Sequence, residues 1–216
     1  MVYKLSFFFL TTCIISLIER YIPFIYKNIP TVNILHHIIT TVSAHYFWYR
    51  HPDVLFRFYQ YKQEDIPSAF LYVPLTTCSF AFYEIYRNAF LKQGFDFMIH
   101  GMMMVSVSVL FLNYENFHWA YPGLLMETSS IFLNLMSLEN EIYKYLFGVT
   151  FICYRNLLFP YLSLVFYNEN FLKIVSYSPY YPFEKGLGIL LIIVNSLNFY
   201  WGHKIIKKYF KTIKNE

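Results

Sequence analysis

Apolar residues dominate this chain in seven runs, each closed by a short polar or proline-containing stretch. Most runs have roughly the ~17–25 residues with which an α-helix crosses the hydrocarbon core of a bilayer. They cover residues 5–18, 31–48, 66–86, 96–113, 118–137, 145–166 and 186–201. A membrane β-barrel would instead show alternating segments of ~10 residues. The pattern therefore predicts an all-α fold, a polytopic transmembrane helical bundle of about seven spans.

The first run admits two interpretations. It is short and follows a single nearby lysine, as the apolar core of a signal peptide does. The sequence Glu-Arg-Tyr-Ile-Pro follows it, however, where a cleavage site would have small residues. We interpret it as a short first span or anchor, without which six spans remain. The predicted organisation is an N-terminal segment 1–29, a transmembrane domain 30–203 and a basic cytosolic tail 204–216.

Composition and charge agree with a membrane protein. The chain is 57% hydrophobic and 14% charged, whereas soluble domains average ~25% charged residues. The net charge of +4 comes mostly from the lysine-rich tail and does not predict nucleic-acid binding. With seven spans, ten Lys and Arg lie on the side of the C-terminus against six on the other, which predicts a cytosolic C-terminus. The tail is a candidate for contact with anionic lipid headgroups, although such a tail also serves as a plain flank of the last span.

The cysteines and histidines do not predict a metal site. The three cysteines lie in apolar runs without ligand spacing, which is typical of small buried hydrophobes. His36 and His37 are adjacent and point ~100° apart on a helix, so we expect only one of them to face the bundle. A metal site would require i, i+3 or i, i+4 spacing and further ligands. We predict no metal and no bound cofactor.

A polar stripe interrupts the fifth run. Glu127, Ser130 and Asn134 share one face of a helix, and a carboxyl group at that depth costs at least ~2.5–3.5 kcal/mol unless it is paired, protonated or in contact with water. The stripe must therefore face other helices. Arg155 in the next run is the expected ion-pair partner of Glu127, either as a brace between spans or beside a polar cavity.

A second candidate pair is Asp96 and His100, at i, i+4 on one helix face. A carboxylate that is hydrogen-bonded to an imidazole fixes its tautomer, which suits the imidazole to act as a general base. The alternative is that the two side chains only hydrogen-bond to each other in the interior and thereby fix the packing of the helices.

Several landmarks together resemble the TLC-domain (TRAM/Lag1/CLN8) family, in its small subgroup rather than a full ceramide synthase. The most specific is Leu124–Asn134, which is similar to the family signature Leu-Leu-x-Glu-x-Ser-x-x-Phe-x-Asn. The others are Phe95–His100, Tyr83-Glu84, Phe147-Gly148 with Arg155 and Pro160, and Asn195, Asn198 and Trp201 before Lys204. The resemblance covers about residues 30–210. It departs from the ceramide-synthase pattern because His100 is followed by Gly101 instead of a second histidine, and because no Asp-x-x-Asp is present.

The resemblance implies a membrane protein of the endoplasmic reticulum that functions in lipid binding, sensing or homeostasis. The lipid would be a sphingolipid or ceramide, or the acyl chain of a phospholipid. Membrane lipids are then the expected partners, and formation of a homodimer is a further alternative. The predicted lipid-binding residues are His36, His37, Glu84, Glu127, Ser130, Asn134 and Arg155. One alternative is an N-acyltransferase with acyl-CoA as co-substrate, His100 as base and Asp96 orienting it. Another is a cargo adaptor of the endoplasmic reticulum.

Overall fold

The helices of the structure follow the apolar runs of the sequence. The computed structural model describes residues 2–26, 29–55, 67–91, 98–99, 101–107, 117–171 and 181–213. Throughout these ranges the regular structure is helical, apart from one small hairpin. The predicted all-α fold is thus confirmed.

The N-terminal half contains three long helices. Helix α1 spans Val2–Tyr21 and is longer than the predicted run, and the antiparallel strands β1 (Phe24–Tyr26) and β2 (Ile29–Pro30) connect it to the next helix. The others are α2 (Thr31–Arg50) and α3 (Tyr72–Leu91), with 3₁₀ turns at Pro52–Leu55 and Ser68–Leu71. The fourth predicted span lies partly outside the described residues, and its helical residues 101–107 are labelled α4.

The C-terminal half contains the polar stripe and the two helices that pack beside it. The fifth predicted span divides into a 3₁₀ turn Phe117–Ala120, α5 (Tyr121–Leu125), α6 (Glu127–Leu135) and a 3₁₀ turn Met136–Leu138. The remaining elements are α7 (Glu141–Thr150), a π-helical segment Phe151–Leu158, α8 (Phe159–Phe171) and α9 (Tyr181–Ile213). Helix α9 includes the described lysines of the predicted tail, which therefore continue the last span as helix.

The π-helical segment has an identifiable cause. Pro160 is the second residue after it. Since proline has no N–H to give to the preceding turn, a carbonyl about one turn earlier loses its α-helical donor, and the chain can adopt the wider π register there. Helices α7 and α8 remain continuous through this segment, so that Arg155 lies within one long helix.

Contacts between neighbouring helices define two ends of the bundle. At one end, Arg87 on α3 lies 3.6 Å from Glu19 on α1 and donates to Asn33 on α2. Helix α6 reaches strand β2 at this same end, so α7 begins there. The Tyr209 hydroxyl of α9 donates to the Lys144 carbonyl of α7. We call this the lysine end, because the lysine-rich last turns of α9 lie there.

The opposite end is closed by aromatic packing. Phe47 of α2 stacks on Tyr121 of α5 with ring centroids 4.0 Å apart, and the Tyr121 hydroxyl donates to the Phe70 carbonyl at 2.7 Å. Trp119 packs edge-on against Phe166 of α8. Antiparallel helices thus run between an aromatic end and a more polar lysine end.

The outer surface is apolar. Large hydrophobic side chains such as Leu10, Ile14, Ile189 and Ile192 are about half exposed or more. Contact of so much apolar surface with water would be unfavourable, whereas lipid would cover it. Among the described residues, two helices are long and apolar enough to cross a membrane, Glu141–Asn168 and Gly186–Tyr209. The number of spans stays a prediction.

Candidate functional site

The centre of the bundle holds a close contact between a histidine of α2 and a glutamate of α6. His37 Nδ1 lies 2.8 Å from Glu127 Oε2, and the two residues are only 9% and 4% exposed. Glu127 begins α6 immediately after the turn at Met126, which aims its carboxyl group across to α2. A carboxylate at such depth is costly unless it has a partner. In this fold the His37 imidazole is placed beside it as a partner.

Arg155 is held by hydroxyl groups. Its Nε donates to Ser129 Oγ and its Nη2 to Ser130 Oγ, both at 2.8 Å. The residue is 8% exposed and lies near the middle of the span Glu141–Asn168. The serines hold the guanidinium plane in one orientation, with both bonds made on the face of α6.

The predicted Glu127–Arg155 ion pair is replaced by these two separate contacts. Both side chains line the same cavities, but within the described chain the hydrogen bonds of Arg155 go to the serines, and the Glu127 carboxylate contacts His37. The reason is that α2 lies directly against the start of α6. Its imidazole thus reaches the carboxylate, while the next turn of α6 carries Ser129 and Ser130 to the guanidinium.

Both adjacent histidines reach the interior, and the expectation that only one would do so is wrong. His37 pairs with Glu127, whereas His36 stacks on Phe80 of α3 with ring centroids 3.9 Å apart and an interplanar angle of 13°. The ~100° between neighbouring side chains points one toward α6 and the other toward α3. The cavity between these helices is wide enough to include both.

A polar cavity of about 530 Å³ opens beside these groups and extends toward the lysine end. Its volume lies within the ~300–1,000 Å³ of small-molecule sites. All seven side chains that we predicted to bind lipid line it. They are His36, His37, Glu84, Glu127, Ser130, Asn134 and Arg155. The structure therefore brings them together in one chamber, while their binding role stays a prediction.

A smaller apolar cavity of about 110 Å³ continues toward the aromatic end. Its walls include Leu75, Trp119, Phe166 and Leu187. The two cavities share five wall residues, which lie at the junction between them. These are Thr77, Met104, Glu127, Arg155 and Trp201. A polar chamber and an apolar chamber are thus adjacent at the depth of the buried charges.

The predicted catalytic pair Asp96 and His100 lies outside the described residues. Among the residues that the structure describes, no group of three or more His, Cys, Asp or Glu side chains could hold a metal ion.

Sequence reasoning missed some of the chamber. Ser129 was visible in the fifth run but was omitted from the predicted site, although it bonds Arg155. Lys204 was assigned to the tail, yet it lines the polar cavity. The available signal was its i, i+3 spacing from Trp201, which places the two on one face of α9.

The architecture defines a class, a helical membrane protein with an internal chamber that is polar at one end and apolar at the other. A comparison with family models identifies the class more closely, since the TLC-domain model matches residues 28–207. The chain belongs to the TLC-domain family. Searches of the curated proteins and of the solved structures each found no match. Helix α1 lies before the matched region.

Proposed function

We propose that this protein binds a long-chain lipid inside the bundle and takes part in lipid homeostasis. The observation that carries the proposal is the junction of the two cavities, where a 530 Å³ polar chamber meets an apolar one. A lipid has the same division, a polar headgroup joined to an apolar chain. Membership of the TLC-domain family supports the connection with lipid metabolism or sensing.

The buried charges also favour a ligand site. Glu127 and Arg155 are almost fully buried in an apolar bundle, where ionisable groups are costly and generally mark a functional path. The apolar chamber alone is smaller than typical ligand sites, so the ligand would lie mainly in the polar chamber. Part of its chain would then pass the junction toward the aromatic end.

Lipid retention after purification tests this proposal. The wild-type protein, extracted in detergent and analysed by mass spectrometry, should carry lipid in a defined ratio to protein. Met104→Trp should reduce that ratio several-fold, because Met104 lines both chambers at their junction. Met102→Trp is the matched control, since Met102 lies on the same helix but is 44% exposed.

Two results would count against the proposal. One is wild-type protein that retains no lipid, together with unchanged membrane lipid composition when the protein is lost. The other is an equal loss of lipid in the Met102 and Met104 variants, which would indicate a general effect of tryptophan on the fold.

A second candidate function, N-acyl transfer from acyl-CoA, is favoured by the His37–Glu127 contact. An imidazole 2.8 Å from a carboxylate, on the wall of the polar chamber, is arranged as a general base can be. Incubation with acyl-CoA and a long-chain amine should then give an amide that His37→Gln abolishes and His203→Gln, at an exposed position of α9, does not. His100→Ala distinguishes the base predicted from sequence. Wild-type protein without product would exclude this function.

The compartment and orientation belong to the same proposal. We place the protein in the endoplasmic reticulum with its lysine end in the cytosol, supported by the excess of basic residues there. Tagging of each terminus and selective permeabilisation would test it, and a lumenal C-terminus would reverse the orientation.

A further inference from the structure

We propose that the polar chamber recognises a phosphate group, held between Arg155 and Lys204. The inference rests on the proposed function, because it names the headgroup of the lipid that the chamber takes. It begins with the charges on the chamber wall. Among the described residues these are the cations Arg87, Arg155 and Lys204 and the acids Glu84 and Glu127.

Arg87 and Glu127 already have ionisable partners. The Arg87 guanidinium lies 3.6 Å from Glu19 and also donates to Asn33. Glu127 is in contact with His37. Each of these two groups therefore already has a polar contact with another side chain of the protein, at a different position along the chamber.

Arg155 differs because both its hydrogen-bond acceptors are neutral hydroxyls. A buried guanidinium gains most from an acceptor that carries negative charge. The serines occupy Nε and Nη2, and Nη1 has no acceptor among the described residues. The guanidinium is thus fixed in orientation with one nitrogen left for an anion. Phosphate fits this donor well, since arginine presents its N–H groups in a rigid fork.

Lys204 adds a second positive charge on another wall. It lies on α9 one turn beyond Trp201, on the lysine side of the junction, and its ammonium is 4.3 Å from the Tyr200 ring centroid. A phosphate that reaches both walls would contact a guanidinium from the π segment and, once the Lys204 side chain turns from Tyr200, an ammonium from α9. Its attached chain would face the apolar chamber, whose wall also includes Arg155.

A binding comparison of lipids that differ only in the phosphate tests the proposal. Delipidated full-length protein in dodecyl maltoside is titrated with dioleoyl phosphatidic acid and with dioleoylglycerol, which has the same chains. We expect the phosphate-bearing lipid to bind about tenfold tighter or more, as a charge-assisted contact would give. Arg155→Gln and Lys204→Gln should each reduce this preference. Lys207→Gln, an exposed lysine one turn further along α9, should leave it unchanged.

The outcomes separate this proposal from the proposed function. Equal binding of the two lipids would overturn phosphate recognition and leave lipid binding intact, whereas no binding of either would overturn both. If Arg155→Gln does not fold, Lys204→Gln still decides, because Lys204 is exposed enough to be replaced. An unchanged preference in Lys204→Gln together with a loss in Lys207→Gln would assign the effect to surface attraction and overturn the proposal.

The source of the phosphate is distinguished by competition. Coenzyme A without an acyl chain, or inorganic phosphate, should displace phosphatidic acid if the site accepts a soluble phosphate carrier. Absence of displacement at millimolar concentration, with the tenfold preference retained, would assign the site to a membrane phospholipid. Either result supports a phosphate site, because both require the same preference.

Discussion

The His37–Glu127 contact predicts an unusual result for a double substitution. His37→Leu leaves the Glu127 carboxylate, which is 4% exposed, without its imidazole partner. Removing a contact partner from a buried charge costs about 3–5 kcal/mol. For a chain of 216 residues this corresponds to a fall in Tm of about 6–20 °C.

Glu127→Leu should cost less. The loss is then that of one polar contact to the buried imidazole, about 1–3 kcal/mol. When both residues become leucine, no charge of this pair remains, and apolar replacement of a buried pair is often neutral or stabilising. The double variant should therefore lie within about 1 kcal/mol of the wild type, so that the two single costs, about 4–8 kcal/mol together, cancel almost completely.

Thermal unfolding of the four proteins in the same detergent measures this coupling. His203→Leu is the control for an exposed histidine, and its stability should change by no more than about 0.5 kcal/mol. A double variant whose Tm falls by the sum of the two single shifts would refute the pairing. A stable double variant should, in addition, retain less lipid than the wild type.

Two further substitutions test the helix packing around the chamber. Gly202→Ala should destabilise the fold by about 1–3 kcal/mol, since a Cβ there would lie 2.6 Å from Asn156 Nδ2. Gly186→Ala is the control, because a Cβ there meets no atom within 4 Å and should not destabilise by overpacking. Equal Tm values in the two variants would contradict this close approach. Tyr154→Phe should cost about 1 kcal/mol, since its hydroxyl shares a 2.8 Å hydrogen bond with His45 Nε2, and no shift in Tm would show that this bond does not stabilise the fold.

The sequence predicted the helices well because their signal is local. Apolar runs of membrane-spanning length can satisfy their backbone groups only as helices in a bilayer, and α2 begins at Thr31 as expected. The stripe Glu127, Ser130 and Asn134 also faces one chamber, because a helical period of 3.6 residues fixes which side chains share a face.

The partners of these side chains could not be predicted in the same way. Whether Glu127 meets α2 or the π-helical segment with Arg155 depends on the order of helices around the bundle, which no local pattern encodes. Consecutive spans suggested Arg155, and His37 is the partner. The length of α9 was missed for another reason. Its lysines resembled a solvated tail, although lysine is a good helix former whose long side chain can reach the membrane surface from a helical position.

The arrangement of the charges argues that they are kept for a ligand rather than for stability. If Arg155 served only to brace two helices, a carboxylate would be its best partner, and Glu127 lies on the same cavity wall. Instead the carboxylate contacts His37 and the guanidinium contacts two serines. Such a division leaves a positive and a negative group on one wall, each oriented but not neutralised by the other. This is less stabilising than a direct pair, and it leaves the guanidinium available to a bound anion at the junction of the two chambers.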